Sequence, residues 1–164
     1  MADRQAIVAK DQLAALAQAL KSLHRALAER VRRDAEAREQ TVIMPGQWLS
    51  RLTGDAQFAW LRSLSELMVD LDVFLDADPA PAADDMAAIR AEVERTIAPS
   101  TVSGTESDFS RHYWHYVHEE PNVGAMHGEL RRALDRLPEP AGVDETDALH
   151  ERHKWAASRR QRRK

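Results

Sequence analysis

DAQFAWLRSLSELMVDLDVFL, residues 55–75, is the longest strongly apolar stretch of the chain with a helical period. Phe58, Leu61, Leu64, Met68, Leu71 and Leu75 recur at intervals of three and four, and Leu67, Val69, Val73 and Phe74 broaden that face. The stretch also holds two of the three phenylalanines and one of the four tryptophans. A stripe this wide contacts more than one neighbour, so it predicts a central helix over 55–75 inside an all-α helical bundle of four to five main helices. A polar substitution at Leu64 or Met68 is expected to be among the most damaging.

On the N-terminal side, a first helix is expected from near Ala6 to near Glu39. Leu13, Leu16, Leu20, Leu23 and Leu27 form a heptad-like seam that Val31 extends. The seam is narrow and wants a partner helix, in this chain or in a second copy. The charged segment from Arg32 to Gln40 is expected to fray or project into solvent. Pro45-Gly46 breaks the pattern. Gln47 to Leu52 could form one or two turns with Trp48, Leu49 and Leu52 inward. Gly54 suits the residue just past a helix, and Asp55 the N-cap of the next.

On the C-terminal side, DADPAPAADD (76–85) reads as a linker, with Asp84 or Asp85 capping a helix that ends at Pro99. Met86, Ile89, Val93 and Ile97 form its apolar face. After a loop over 100–106, Ser107 or Asp108 caps a short helix, FSRHYWHYVHEEP (109–121), which Pro121 ends. Asn122 restarts a helix carrying Val123, Met126, Leu130, Leu134 and Leu137. Gly124 and Gly128, four apart, would let another helix approach closely. Pro138, Pro140 and Gly142 close a bundle domain of residues 1–137. Residues 138–164 then form a linker and a short, flexible basic tail, with a short helix expected near 145–157.

Composition narrows the functions. No cysteine is present, which excludes thiol catalysis, iron–sulfur ligation and disulfides. The net charge of −4 hides an asymmetry. Residues 152–164 hold seven Lys/Arg and no Asp/Glu, leaving 16 basic against 27 acidic residues in the remainder, or −11. There is no signal-peptide order at the N-terminus and no spanning apolar run, so a cytoplasmic protein without a membrane span is expected.

Phe58-Ala-Trp-Leu-Arg-Ser-Leu-Ser-Glu-Leu67 resembles an FAWLR-x-LS-x-L pattern found in small uncharacterised bacterial all-α proteins. Tyr116…Pro121-x-Val123…His127-x-x-Leu130 resembles the second half of the same group. The two stretches cover about a third of the chain. The resemblance implies a helical fold and brings no reaction, ligand or catalytic residue with it.

Three constellations could carry chemistry. His112, His115 and His118 lie three apart on one helix, and imidazoles at that spacing can bind zinc, copper or nickel, or one could ligate haem. Glu119, Glu120 and His127 lie close enough in sequence to add a ligand. The interleaved Tyr113, Trp114, Tyr116 and Val117 argue instead for surface histidines and a hydrogen-bonded core one. Paired Glu-x-x-His motifs of di-iron bundles are absent. His150 and His153, with Asp147, make a second ligand set, for which a solvated helix is the competing reading. In the tail, Arg159, Arg160, Arg162, Arg163 and Lys164 could contact nucleic-acid phosphates, an anionic membrane or an acidic partner, or simply solubilise the chain end. His127 alone is expected to bond a backbone carbonyl. Ser63, Ser65 and Glu66 form no triad, and the six glycines form no phosphate-cradling loop. The sequence therefore points to a non-enzymatic bundle acting through protein contacts, as a homodimer or with a protein partner, with no cofactor. Metal or haem binding and nucleic-acid association are the alternatives.

Overall fold

The computed structural model describes residues 2–76, 80–99 and 107–140. Along them run α1 (Ala2–Glu39), α2 (Pro45–Gly54), a 3-10 helix (Ala56–Leu61), α3 (Arg62–Leu75), α4 (Ala83–Ile97), α5 (Asp108–Glu119) and α6 (Pro121–Leu134). The protein is all-α, and no described helix is long and apolar enough to cross a membrane.

α1 contributes the largest share of the core. Leu13, Leu16, Leu20, Leu23 and Leu27 are fully buried, followed by Val31 and Ala35. This seam finds its partners within the chain, since α1 packs most extensively against α6 and α3. Each fully buried leucine contributes roughly 1.5–3 kcal/mol before chain entropy is counted. The charged segment that ends α1 is exposed from Ala37 to Gln40, as its charges suggest, but covered along the face of Val31 and Ala35. The chain folds back over it: Ile43 is buried, and its N–H donates to Glu36 Oε1 at 2.9 Å. Arg51 of α2 grips Glu39 through both carboxylate oxygens, at 2.7 and 2.9 Å. At its other end α1 exposes Ile7 and Val8. Gln40, with φ of 51°, takes the left-handed turn that ends α1, and Thr41 N–H donates back to Glu36 O. This is a Schellman closure with glutamine where glycine is usual.

Residues 55–75 do not form one continuous α-helix. A 3-10 segment carries Phe58, Trp60 and Leu61 before α3 begins at Arg62. Residues i and i+3 eclipse in a 3-10 helix, whereas an α-helix would rotate Phe58 about 60° away from Leu61. The tighter winding turns Phe58 toward α2, where it meets Trp48 edge to face with ring centroids 5.0 Å apart. Within α3, Leu64, Leu67 and Leu71 are buried, Met68 is half-buried and Val69 exposed, so the inward stripe is narrower than the sequence suggests.

Two local expectations at α2 are corrected. Trp48 is buried, but Leu49, one residue and about 100° further round, is exposed. Gly54 belongs to the last turn of α2. Asp55 follows in extended conformation as the N-cap residue of the 3-10 helix, as expected, with its N–H donated to Arg51 O, although its side chain makes no cap bond.

α4 buries Met86, Ile89, Val93 and Ile97 as their spacing requires. Its N-cap is Ala82, not an aspartate; Asp85 reaches back from the first turn to accept the Ala82 N–H at 3.0 Å. The last carbonyls of α4 are satisfied from α5, by Trp114 Nε1–H on Ile97 O (3.1 Å) and Ser110 Oγ–H on Ala98 O (3.0 Å). Ser107 caps α5 by accepting the Ser110 N–H. Pro121 opens α6 at its first turn, where a missing N–H costs nothing.

The two α6 glycines play different parts. A Cβ on Gly124 would stand 3.1 Å from the Val117 carbonyl oxygen, so α5 passes close here. A Cβ on Gly128 would meet only the end of Arg132 at 3.8 Å, so no helix approaches there. Gly128→Ala is expected to stabilise the protein by about 0.8–1 kcal/mol through helix propensity. Gly124→Ala should lose that gain against the Val117 carbonyl. Urea denaturation of the two variants, side by side, checks the contrast.

Candidate functional site

The three histidines of α5 share a helix but not a centre. His112 stacks on Trp60, with centroids 5.0 Å apart and planes 12° from parallel, while its Nδ1–H donates to Asp108 O at 2.8 Å. His115 meets the edge of Tyr116, and His118 lies against Trp114. Each imidazole leans on a different aromatic ring. Among the described residues no three His, Cys, Asp or Glu side chains come together as a metal-holding group. The interleaved aromatics explain this. Burying Phe109 and Tyr113 orients α5 so that His115 and His118 point outward and His112 folds over Trp60.

His127 is held differently from the expected carbonyl contact. Its Nδ1 lies 2.6 Å from the hydroxyl of Tyr113, the bulkiest fully buried side chain among the described residues. Burial, with Arg131 nearby, pushes the His127 pKa down, and burial pushes the Tyr113 hydroxyl up. Both are therefore neutral near pH 7, and a single proton bridges phenol and imidazole. Trp114 closes over the pair, with its ring 5.1 Å from His127.

A second polar network joins α1 to α5. Tyr116 donates its hydroxyl to Asp34 Oδ2 at 3.0 Å, Arg30 pairs with Asp34 at 3.1 Å, and Arg30 also reaches Glu120 at 2.9 Å. Burial and the Asp34 carboxylate push the Tyr116 hydroxyl up to about 12, so it remains a donor. The Tyr116 ring stacks on the face of Trp60 at 6.0 Å. These contacts bind elements together and present no open site.

Ser65 makes a contact that sequence spacing hides. Its Oγ lies 3.1 Å from Nε2 of His24, across the α1–α3 interface and 41 positions away. Ser65 sits inside α3, where backbone N–H groups are committed to the helix. Among the described residues no carboxylate bonds His24. Beside His24 a cleft of about 420 Å³ opens between α1, Trp48 and Met68.

Three of the six exposed large apolar side chains among the described residues fall within eight positions where α1 turns into α2. Val42 is 77% exposed, Met44 60% and Leu49 64%. The tail residues Arg159, Arg160, Arg162, Arg163 and Lys164 lie outside the described residues, as do Asp147, His150 and His153. Compared with protein-family models, curated proteins and solved structures, the chain finds no match.

Proposed function

We propose that this protein is a non-enzymatic helical bundle that acts by self-association through the corner formed by Val42, Met44 and Leu49. The observation that carries the reading is the exposure of these three side chains within eight residues, where most other large apolar groups among the described residues are buried or half-buried. Apolar clusters left open on a surface mark contact sites. A two-fold contact brings a patch against its own copy, so a net charge on that patch would oppose it. The segment from Glu36 to Arg51 holds two glutamates and two arginines, Glu36, Arg38, Glu39 and Arg51, and is neutral. The Arg51–Glu39 pair stiffens the corner that would meet its copy. In this reading the bundle is built on α1, with residues 55–75 as one of the walls around it.

Sedimentation velocity of the full chain over a micromolar dilution series tests the reading. The wild type is expected to show a dimer that dissociates on dilution. Val42→Glu/Leu49→Glu places like charges across the two-fold contact and should weaken association by at least a hundredfold, with helical circular dichroism unchanged. A wild type that is monomeric throughout, or a double variant that still dimerises, would sink the proposal.

A further inference from the structure

The cleft beside His24 combines features that the self-association reading does not use. On its α1 side it is lined by Lys21, His24, Arg25 and Glu29, and across from them by Trp48 of α2 and Met68 of α3. Its volume of about 420 Å³ falls within the range of small-molecule sites. Three of the four polar α1 side chains in the lining are already engaged. Lys21 pairs with Asp72 at 3.0 Å, Glu29 pairs with Arg32 at 2.9 Å, and His24 is anchored by Ser65. Arg25 is the exception: it is exposed and makes no ion pair among the described residues. The uncompensated charge of the lining is therefore a guanidinium, whose planar fork of donors matches a carboxylate. Opposite it stand an indole and a thioether, which suit an apolar or aromatic body.

The geometry points to a binding site for a small organic carboxylate with an apolar body, its carboxylate on Arg25 beside His24 and its body against Trp48 and Met68. Ser65 is a positioning residue here. Its hydrogen bond to Nε2 holds the imidazole in the cleft wall. Burial keeps His24 neutral near pH 7, so the imidazole adds no second charge to compete for the ligand. Leu49 is not part of this lining, so the site does not depend on the dimer corner.

The test uses the full chain and three probes that share one body: 4-phenylbutyrate, its amide, and 4-phenylbutylamine. Titration calorimetry is combined with the indole N–H resonance of Trp48, assigned by its loss in Trp48→Phe. The carboxylate is expected to bind one to one and shift that resonance. The amide and the amine should bind at least tenfold more weakly. A hydrogen bond to a charged group contributes about 1.5–3 kcal/mol, so Arg25→Ala should weaken the carboxylate by roughly 10- to 100-fold. Met68→Glu places a carboxylate at the far wall and should abolish binding, with circular dichroism confirming that the fold persists. Absence of saturable 4-phenylbutyrate binding overturns the proposal. So does equal affinity for the amine, or an Arg25→Ala variant that binds as the wild type does.

Discussion

Leu64→Ala is expected to destabilise the protein by about 2–5 kcal/mol, the range for removing a buried leucine and leaving a cavity. For a chain of this length that lowers Tm by on the order of 10 °C. Leu64 is fully buried in α3, a helix that packs against α1. The buried face of α1 is a row of leucines on a long helix, which cannot collapse into a space without moving as a whole. Met68→Ala should cost much less, although the apolar period of 55–75 treats the two positions alike. Met68 is half-buried and borders the cleft, so truncating it enlarges a space already open to water. Thermal and urea unfolding of the two variants, fitted with a common m-value, checks the difference. Equal losses at the two positions would mean that α3 is rotated from the orientation described.

That contrast shows what was legible in the sequence. Leu13 through Leu27, Met86 through Ile97 and Val123 through Leu134 read correctly as helix faces, because burial on one side of a helix imposes a period that survives in the residues; Leu137, expected on the same helix, is buried in the turn just past its end. The break at Leu61–Arg62 did not read, because 3-10 and α windings differ by one eclipsed turn over six residues, too short to alter a pattern of threes and fours. Leu49 was misplaced because α2 is short, with Trp48 alone fully inside. The end of α1 near Glu39 read correctly from the loss of large apolar residues, although the left-handed Gln40 that closes it carries no mark of its own.

The sites were less legible than the fold. His112, His115 and His118 stood out by spacing, yet the orientation of α5 is set by Phe109 and Tyr113, which send each imidazole to a different ring. The contacts that matter join distant elements: Ser65 with His24, Tyr116 with Asp34, Arg30 with Glu120. Nothing in one helix announces its partner in another. The Tyr113–His127 pair spans only 14 positions, and its one available signal was an apolar-face tyrosine needing a hydroxyl partner near the next helix.

Tyr113→Phe is expected to cost about 1–2 kcal/mol at pH 7, because it removes one hydrogen bond and leaves the half-buried His127 Nδ1 without its partner. The variant also tests how the pair responds to acid. In the folded wild type the His127 pKa lies below the ordinary 6.5, through burial first and Arg131 second, and burial alone lowers His24 in the same direction. Above about pH 6.5 both histidines are neutral, folded or unfolded, and their contribution to stability is fully present. As pH falls from 6.5 toward the depressed folded values, the unfolded chain takes up protons that the folded chain refuses, and stability declines. Below the folded values both states are charged, and these groups cause no further loss. When His127 does charge, Nδ1 must donate, and the Tyr113 oxygen is there to accept. Phenylalanine offers no acceptor, so Tyr113→Phe should lower the folded His127 pKa further and carry the stability loss to lower pH. An NMR titration of the His127 ring in both proteins measures this directly, with urea midpoints between pH 7 and 5 as the stability readout. A His127 pKa that rises in Tyr113→Phe would show that the hydroxyl favours the neutral ring, and would overturn this account of the pair.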